Sequence, residues 1–416
     1  MSSGSASSAV SIPRLESRLH WILQWPLRLF SSLGFTVVLL LFLALLTYLG
    51  TLEQVELGLF DAQKKYFESL FLIHDAGFIQ VPLPGAGLVQ LLLFFNILVG
   101  GIIRIRKGWK TCGILVTHVG ICFLLFSGFW KLYFSDEGHT TLYEQESANY
   151  YQSYHDWEIA VSRDRGNGQY QEFVIPQTDF MHATGPEKVT LFSPDLPFDL
   201  EVSHFIENCQ PQANDGKVKT VPVVDGLFLQ EIKPLTTKEN NLAGIYADVV
   251  VKDSGRRYSG LLWGYDLHRR NRRQTTNWGV EVGDDTWLFD LRHTRFQLPF
   301  TVTLDKFTKE EHARTAMPKV FSSDVTVARE STAESGGRAI KIEMNEPLRD
   351  EGLVLYQASW GPPDAGPGEP LFSTLSVVRN GADQWPLYSC IIIGLGLLIH
   401  FLMKLWGYIR GEVAKA

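Results

Sequence analysis

The chain has 416 residues, 45% of them apolar and 12% aromatic, and a formal net charge of −7. The acidic balance argues against a nucleic-acid-binding protein, whose electrostatic footprint is basic. Four cysteines with no Cys-x-x-Cys pair argue against a thiol-exchange component.

The apolar residues are bunched rather than spread. A Ser-rich start, Ser2–Ser8, reads as disordered, and Arg14–Leu33 mixes Trp21, Trp25 and Phe30 with arginine, the pattern of a helix lying at a membrane interface. Residues 1–33 are therefore a cytoplasmic or interfacial segment, and no cleavable signal peptide is expected. Four stretches then lack Asp, Glu, Lys and Arg altogether: Gly34–Gly50, Gly87–Ile103, Gly113–Trp130 and Leu387–Met403. With flanking residues each can cross a hydrocarbon core of roughly 30 Å as a helix. The predicted spans are 34–51, 86–103, 111–131 and 387–404. Segment 52–85 is a loop in which Glu53–Ile73 shows helical apolar spacing, and Pro82 and Pro84 reset the chain before the second span.

Basic residues orient the spans. Arg14, Arg18, Arg28, Arg104, Arg106, Lys107, Lys110, Lys404, Arg410 and Lys415 all fall on one side, whereas the 52–85 loop has only Lys64 and Lys65 against five acids. The positive-inside bias places both termini, the 104–110 loop and the 405–416 tail in the cytoplasm, and 132–386 outside. Between 134 and 385 there are 38 acidic and 25 basic residues. That region reads as strands: Trp157–Val161, Phe198–His204, Ala247–Val251, Phe300–Leu304, Asp324–Ala328, Ala339–Met344, Val354–Ser359 and Thr374–Val378 alternate between Gly, Pro, Asn and Asp punctuation. It fits one β-sandwich or two smaller ones. Its single cysteine, Cys209, allows no disulfide inside it. The fold class is thus a four-span α-helical membrane protein with a large β-rich, sandwich-like extracytoplasmic domain between spans three and four. An arginine cluster at Arg256, Arg257, Arg269, Arg270, Arg272 and Arg273 reads as a solvated loop or a contact for a partner or lipid headgroup.

Two residues stand out chemically, His118 in the third span and His400 in the fourth. Ionisable groups inside a bilayer are costly and point to function. At 1.5 Å per residue His118 lies about 10 Å from the cytoplasmic end of its span and His400 about 6 Å from its own. Neutral imidazole is a common haem and metal ligand. The structural alternatives are an interhelical hydrogen bond at His118, helped by Thr117, and snorkelling to headgroups at His400.

Several local motifs resemble the ResB family (CcsB-type) of System II cytochrome c biogenesis proteins. Thr117-His118-Val119-Gly120 through Phe126-Ser127-Gly128, then Glu137-Gly138 and Leu142-Tyr143-Glu144, is similar to the family's third span and the turn leaving it. Pro318-Lys319-Val320-Phe321-Ser322-Ser323-Asp324-Val325, Met344-Asn345-Glu346-Pro347-Leu348, and Gly352 to Tyr356-Gln357-Ala358-Ser359 resemble its C-terminal strands. Thr51-Leu52-Glu53-Gln54, Gly58-Leu59 and Gln63-Lys64-Lys65-Tyr66-Phe67 are similar to one branch.

The resemblance implies a non-redox subunit of a holocytochrome c synthase rather than an enzyme on its own. It would help move haem b outward across a bacterial inner membrane for attachment to apocytochrome c, with the large domain periplasmic. It implies His118 as an axial haem ligand at an interface with a ResC (CcsA-type) partner, and leaves His400 unassigned. A thiol-reducing thioredoxin-like protein is a further expected partner, and no metal other than haem iron is expected. The partner's Trp-rich motif is not found; Trp263-Gly264-Tyr265-Asp266 resembles it only superficially. The rival readings are a haem-free membrane-anchored scaffold and a b-type electron carrier. Two bis-His haems would need four intramembrane histidines, and only two are present.

Overall fold

The computed structural model describes residues 25–77, 79–166, 169–216, 220–265, 278–311, 318–329, 337–362, 366 and 369–413. Most of the Arg14–Leu33 segment and the Arg269–Arg273 part of the arginine cluster lie outside them. The chain divides into two units, one of residues 25–135 with 380–413 and the other Asp136–Arg379.

The first unit is helical. Helix α1 spans Leu33–Leu57, starting where Ser32 Oγ accepts the Phe35 amide at 3.4 Å and ending at Gly58, whose φ of 82° a side chain would resist. Helix α2 covers Ala86–Asn96 and continues in π geometry through Ile97–Ile103. Helix α3 spans Cys112–Phe134, and α4 spans Trp385–Val413. All four are long and apolar enough to cross a membrane. Their apolar side chains face outward: Leu33 is 78% exposed, Leu41 65% and Phe401 63%. Helices of a globular core would bury these groups, so the surface suits lipid.

Segment 52–85 departs from the expected amphipathic helix. Glu53–Leu57 completes α1, short helical turns follow at Leu59–Gln63 and Lys64–Glu68, and Phe71–Asp75 pairs antiparallel with Gln80–Pro84. Pro82 and Pro84 therefore sit in a two-stranded hairpin, where a missing amide donor is tolerated. At its base Tyr66 is fully buried, donates to the Glu53 carboxylate and lies 2.6 Å from His74 Nδ1, while Lys65 pairs with Glu53. Burial, joined by the adjacent Glu53 charge, pushes the Tyr66 phenol up.

The second unit is β-rich, and all eight expected runs fall in strands, Ala339–Met344 running one residue past the end of its strand at Glu343. Its largest sheet has ten strands and is organised by two long ones, Ser147–Asp164 and Asp285–Glu311, paired antiparallel. The two largest cores of the unit share these strands. One core gathers Trp157, Ile159, Phe198, Ile245, Trp287 and Phe289 between this sheet and a four-stranded sheet; the other gathers Tyr151, Phe300, Val302, Leu304, Val325 and Leu355. Between them the pairing slips twice, between His293 and Arg295 and between Gln297 and Val302. Pro299, which has no amide to donate, lies in the second slip. The region is neither one sandwich nor two separate ones. All four cysteines are free.

Charged groups brace the strands. Arg292 reaches the buried Glu158 at 2.8 Å and grips Glu172 with two hydrogen bonds of 2.8 and 2.9 Å. Arg257 lies in a strand rather than a loop and bridges Glu201 and Asp248, which Lys188 also meets. Burial pushes the Glu172 carboxyl up, but the Arg292 hydrogen bonds and charge outweigh it and hold the group below its ordinary value. The Arg257 hydrogen bond holds Glu201 down, and at Asp248 burial is outweighed by Lys188 and Ser259. A carboxyl whose folded value is depressed stabilises fully above its unfolded value and loses that contribution as pH falls through the folded one. The β-rich unit is therefore expected to lose stability progressively below roughly pH 4.5 and to hold it above roughly pH 5. Urea midpoints from about pH 3 to about pH 6 check this; a flat profile would contradict it.

Candidate functional site

Helix α3 is apolar on every face, so a polar residue in it is conspicuous. His118 is half-buried, and its Nδ1 lies 2.7 Å from the carbonyl oxygen of Ile114 one turn earlier. A carbonyl only accepts, so Nδ1 carries a proton, and in the neutral tautomer Nε2 keeps its lone pair. Thr117 likewise bonds within its own helix, to Gly113 O at 3.0 Å. Among the described residues neither makes the interhelical hydrogen bond that would explain His118 as structural glue.

The imidazole ring lies against Gly101, in the π-helical end of α2. A β-carbon on Gly101 would fall 2.4 Å from His118 Cδ2 and 3.1 Å from Nε2, so only glycine leaves room for the ring. A β-carbon on the preceding Gly100 would lie 3.2 Å from Ser31 Cα, a tight but looser approach. Gly101 is three residues from Arg104, about 4.5 Å along a helix. This puts His118 near the end of the bundle that carries the basic 104–110 loop, in keeping with the depth read from the sequence.

His400 is placed differently. Its backbone, not its ring, forms the contact: a β-carbon on Gly113 would meet His400 N at 2.5 Å. Its ring stands edge-on to the neighbouring Phe401 at 5.6 Å. Among the described residues the rings of His118 and His400 make no contact with each other, and no cluster of three or more His, Cys, Asp or Glu could hold a bare metal ion.

A ligand for haem iron needs a neutral imidazole with a free nitrogen, a fixed ring plane and apolar surroundings. His118 has the proton on Nδ1, a glycine cradle that a methyl group would fill, and an apolar helix on either side. The residues fit the group. At the far end of α3, Phe126 and Trp130 pack with Trp385 of α4, Trp130 and Trp385 lying 5.3 Å apart, and Phe134 packs on Trp130. Such aromatic clusters mark a membrane–water interface.

Sequence reasoning passed over Asn96. It is 4% exposed inside α2, accepts from Thr36 Oγ1 at 2.6 Å and donates to the carbonyls of Phe30 and Ser32 at 3.0 and 3.2 Å. The available signal was a lone amide in an apolar span, and it fastens α2 to the start of α1. Trp263 and Tyr265 turn out to be structural: the rings stack at 4.7 Å, and Trp263 Nε1 donates to Cys209 O at 2.9 Å.

These features define a class: four membrane-span-type helices joined to a β-rich unit built on two long strands. The model of the ResB-like family matches residues 280–367, so the family resemblance is borne out over that segment. No curated protein matches the chain. The matched segment carries the motifs quoted for the C-terminal strands, and the structure brings two of them together. Ser323 donates to Gln357 Oε1 at 2.5 Å and meets Ser373 Oγ at 2.8 Å, all within the second core. Glu351 and Gly352 both take positive φ, 48° and 74°, in the tight turn that joins Leu348–Asp350 to Leu353–Gly361. The ResB-like family suggests a role in cytochrome c biogenesis.

Proposed function

We propose that the chain is a subunit of the System II holocytochrome c synthase and helps pass haem outward through a bacterial inner membrane. The observation that carries this reading is His118: an imidazole inside a span with Nδ1 donating to Ile114 O and its ring on Gly101, which in the neutral tautomer leaves Nε2 as the ligating nitrogen. Haem is the cargo, and His118 supplies one axial nitrogen. The opposite ligand comes from a ResC-type multi-span partner. The ten basic residues on one side of the spans support cytoplasmic termini and a periplasmic β-rich unit. Haem would then be accepted near the cytoplasmic end, where His118 lies. The β-rich unit caps the partner's outer face and helps hold apocytochrome c, whose thiols a thioredoxin-like protein keeps reduced. This chain supplies the binding nitrogen and the scaffold for thioether formation, and His400 serves the helix pair rather than the haem.

Co-expression with the ResC-type partner and comparison of Soret absorbance per protein tests the reading. His118→Ala is expected to remove most of the haem held at this site and to lower cytochrome c yield. Undiminished haem in that variant would refute the ligand role and favour the haem-free scaffold, a reading supported by the position of the family match wholly within the β-rich unit.

A further inference from the structure

Two adjacent glycines inside a helix are unfavourable, each destabilising by about 0.5–1 kcal/mol relative to alanine. Their retention calls for a packing reason. Gly100 has one in Ser31; Gly101 has another in the ring of His118. The stretch Ile97–Ile103 also runs in π geometry, which rotates residues by one position relative to an α-helix and recurs at functional sites. Gly101, within this stretch, presents its bare α-carbon to the imidazole.

We infer that Gly101 is a positioning residue for the haem ligand: it forms the floor on which the His118 ring lies and fixes the direction of Nε2. The inference rests on the ligand role proposed above for His118. Two constraints then hold the ring. The hydrogen bond from Nδ1 to Ile114 O fixes one edge, and the Gly101 floor fixes one face. A hydrogen bond alone leaves the ring free to swing about the bond axis. With the floor in place, the lone pair of Nε2 has one direction in which to point. A methyl group at 101 would sit 2.4 Å from Cδ2. Because the ring is anchored to its own helix through Ile114, it must tilt, break that bond or push α2 away. Each outcome misdirects Nε2.

The test is a titration with haemin of the full-length protein co-assembled with the ResC-type partner in nanodiscs, read by the Soret band and by ferric electron paramagnetic resonance. Wild type, Gly101→Ala, His118→Ala, the double variant and Gly394→Ala are compared; Gly394 is a helix glycine with no atom within 4 Å of its β-position and serves as the control. Gly101→Ala is expected to weaken haemin binding about 10- to 100-fold, the loss typical when the support of a metal ligand is removed. Its spectrum should also shift toward that of His118→Ala. Gly394→Ala should match wild type. In the His118→Ala background, Gly101→Ala should add nothing, because the residue acts only through the imidazole.

Wild-type affinity and spectrum in Gly101→Ala, with loss in His118→Ala, would overturn the inference and leave the ligand role standing. Equal weakening by Gly101→Ala with and without His118 would also overturn it, since it would mark general damage to the helix pair. Wild-type binding in His118→Ala would remove the ligand role itself and the inference with it.

Discussion

Replacing Arg292 with alanine is expected to destabilise the β-rich unit by about 3–5 kcal/mol, the loss typical when one partner of a buried ion pair is removed. Glu158 is 2% exposed and accepts from Arg292 Nε at 2.8 Å. Without the guanidinium it keeps only a 3.3 Å contact from the Arg295 amide. A carboxylate in that place must remain unpaired or take up a proton. The second partner, Glu172, is at the rim and can turn to water, so it adds less. The double variant Arg292→Met/Glu158→Leu should recover much of the loss, because apolar replacements of both partners are often tolerated. Hydrogen exchange across Ser147–Asp164 and Asp285–Glu311 reads the effect on the two strands that the pair joins. Unaltered exchange in Arg292→Ala would show that the cluster is dispensable.

That cluster shows why parts of this fold were legible in sequence and others were not. The four spans depend on local composition alone: an uncharged apolar run of sufficient length has few alternatives. Likewise the strand runs, such as Trp157–Val161 and Phe198–His204, declare themselves by alternation. Their pairing does not. Glu158 meets Arg292 across 134 residues of sequence, and no local pattern marks the two as partners. The 27-residue strand Asp285–Glu311, which carries both cores, shows in the sequence only as the run Phe300–Leu304, because Pro299 interrupts its pattern. In the 52–85 segment, Phe71-Leu72-Ile73 continues a helical spacing but lies in a hairpin. Over so short a run, periods of 2 and 3.6 cannot be told apart.

The site divides in the same way. His118 was legible because an imidazole is conspicuous among apolar residues. Gly101 was not, since glycine is common in membrane helices and a pair of them carries no direction. Its meaning comes from where the third helix sits, which is a tertiary fact. Asn96 could have been singled out by the rule that marked His118, but an amide carries no charge and drew less notice.

The seam between α3 and α4 leads to the second large expected effect. A β-carbon on Gly113 would fall 2.5 Å from His400 N and 2.7 Å from Gly396 O, and one on Gly396 would fall 2.5 Å from Thr117 N. On Gly120 it would lie 3.0 Å from Ile393 N. At Gly113 these obstacles are all main chain and at Gly396 most are, so no rotamer change can make way there, whereas at Gly120 the nearest atom, 2.7 Å away, is Ile393 Cγ1. Small residues allow such close approach where lipid, as apolar as leucine, gives no hydrophobic drive to association. Gly396→Leu should therefore separate the helices and cost about 3 kcal/mol or more, at or above the upper end for overpacking. Gly394→Leu, two residues away on the same helix but facing open space, should cost little. Thermal melting of the helical signal in detergent distinguishes them, and equal melting of the two variants would contradict the seam. His400 acquires a role on these grounds that needs no ligand: its main chain packs against Gly113. His400→Ala, which keeps that main chain, should melt close to wild type and bind haemin normally, whereas Gly113→Leu should melt early. The two intramembrane histidines, equivalent in the sequence as costly polar groups, are thus separated by what touches them: a ring resting on a glycine at 118 and a backbone pressed to one at 400.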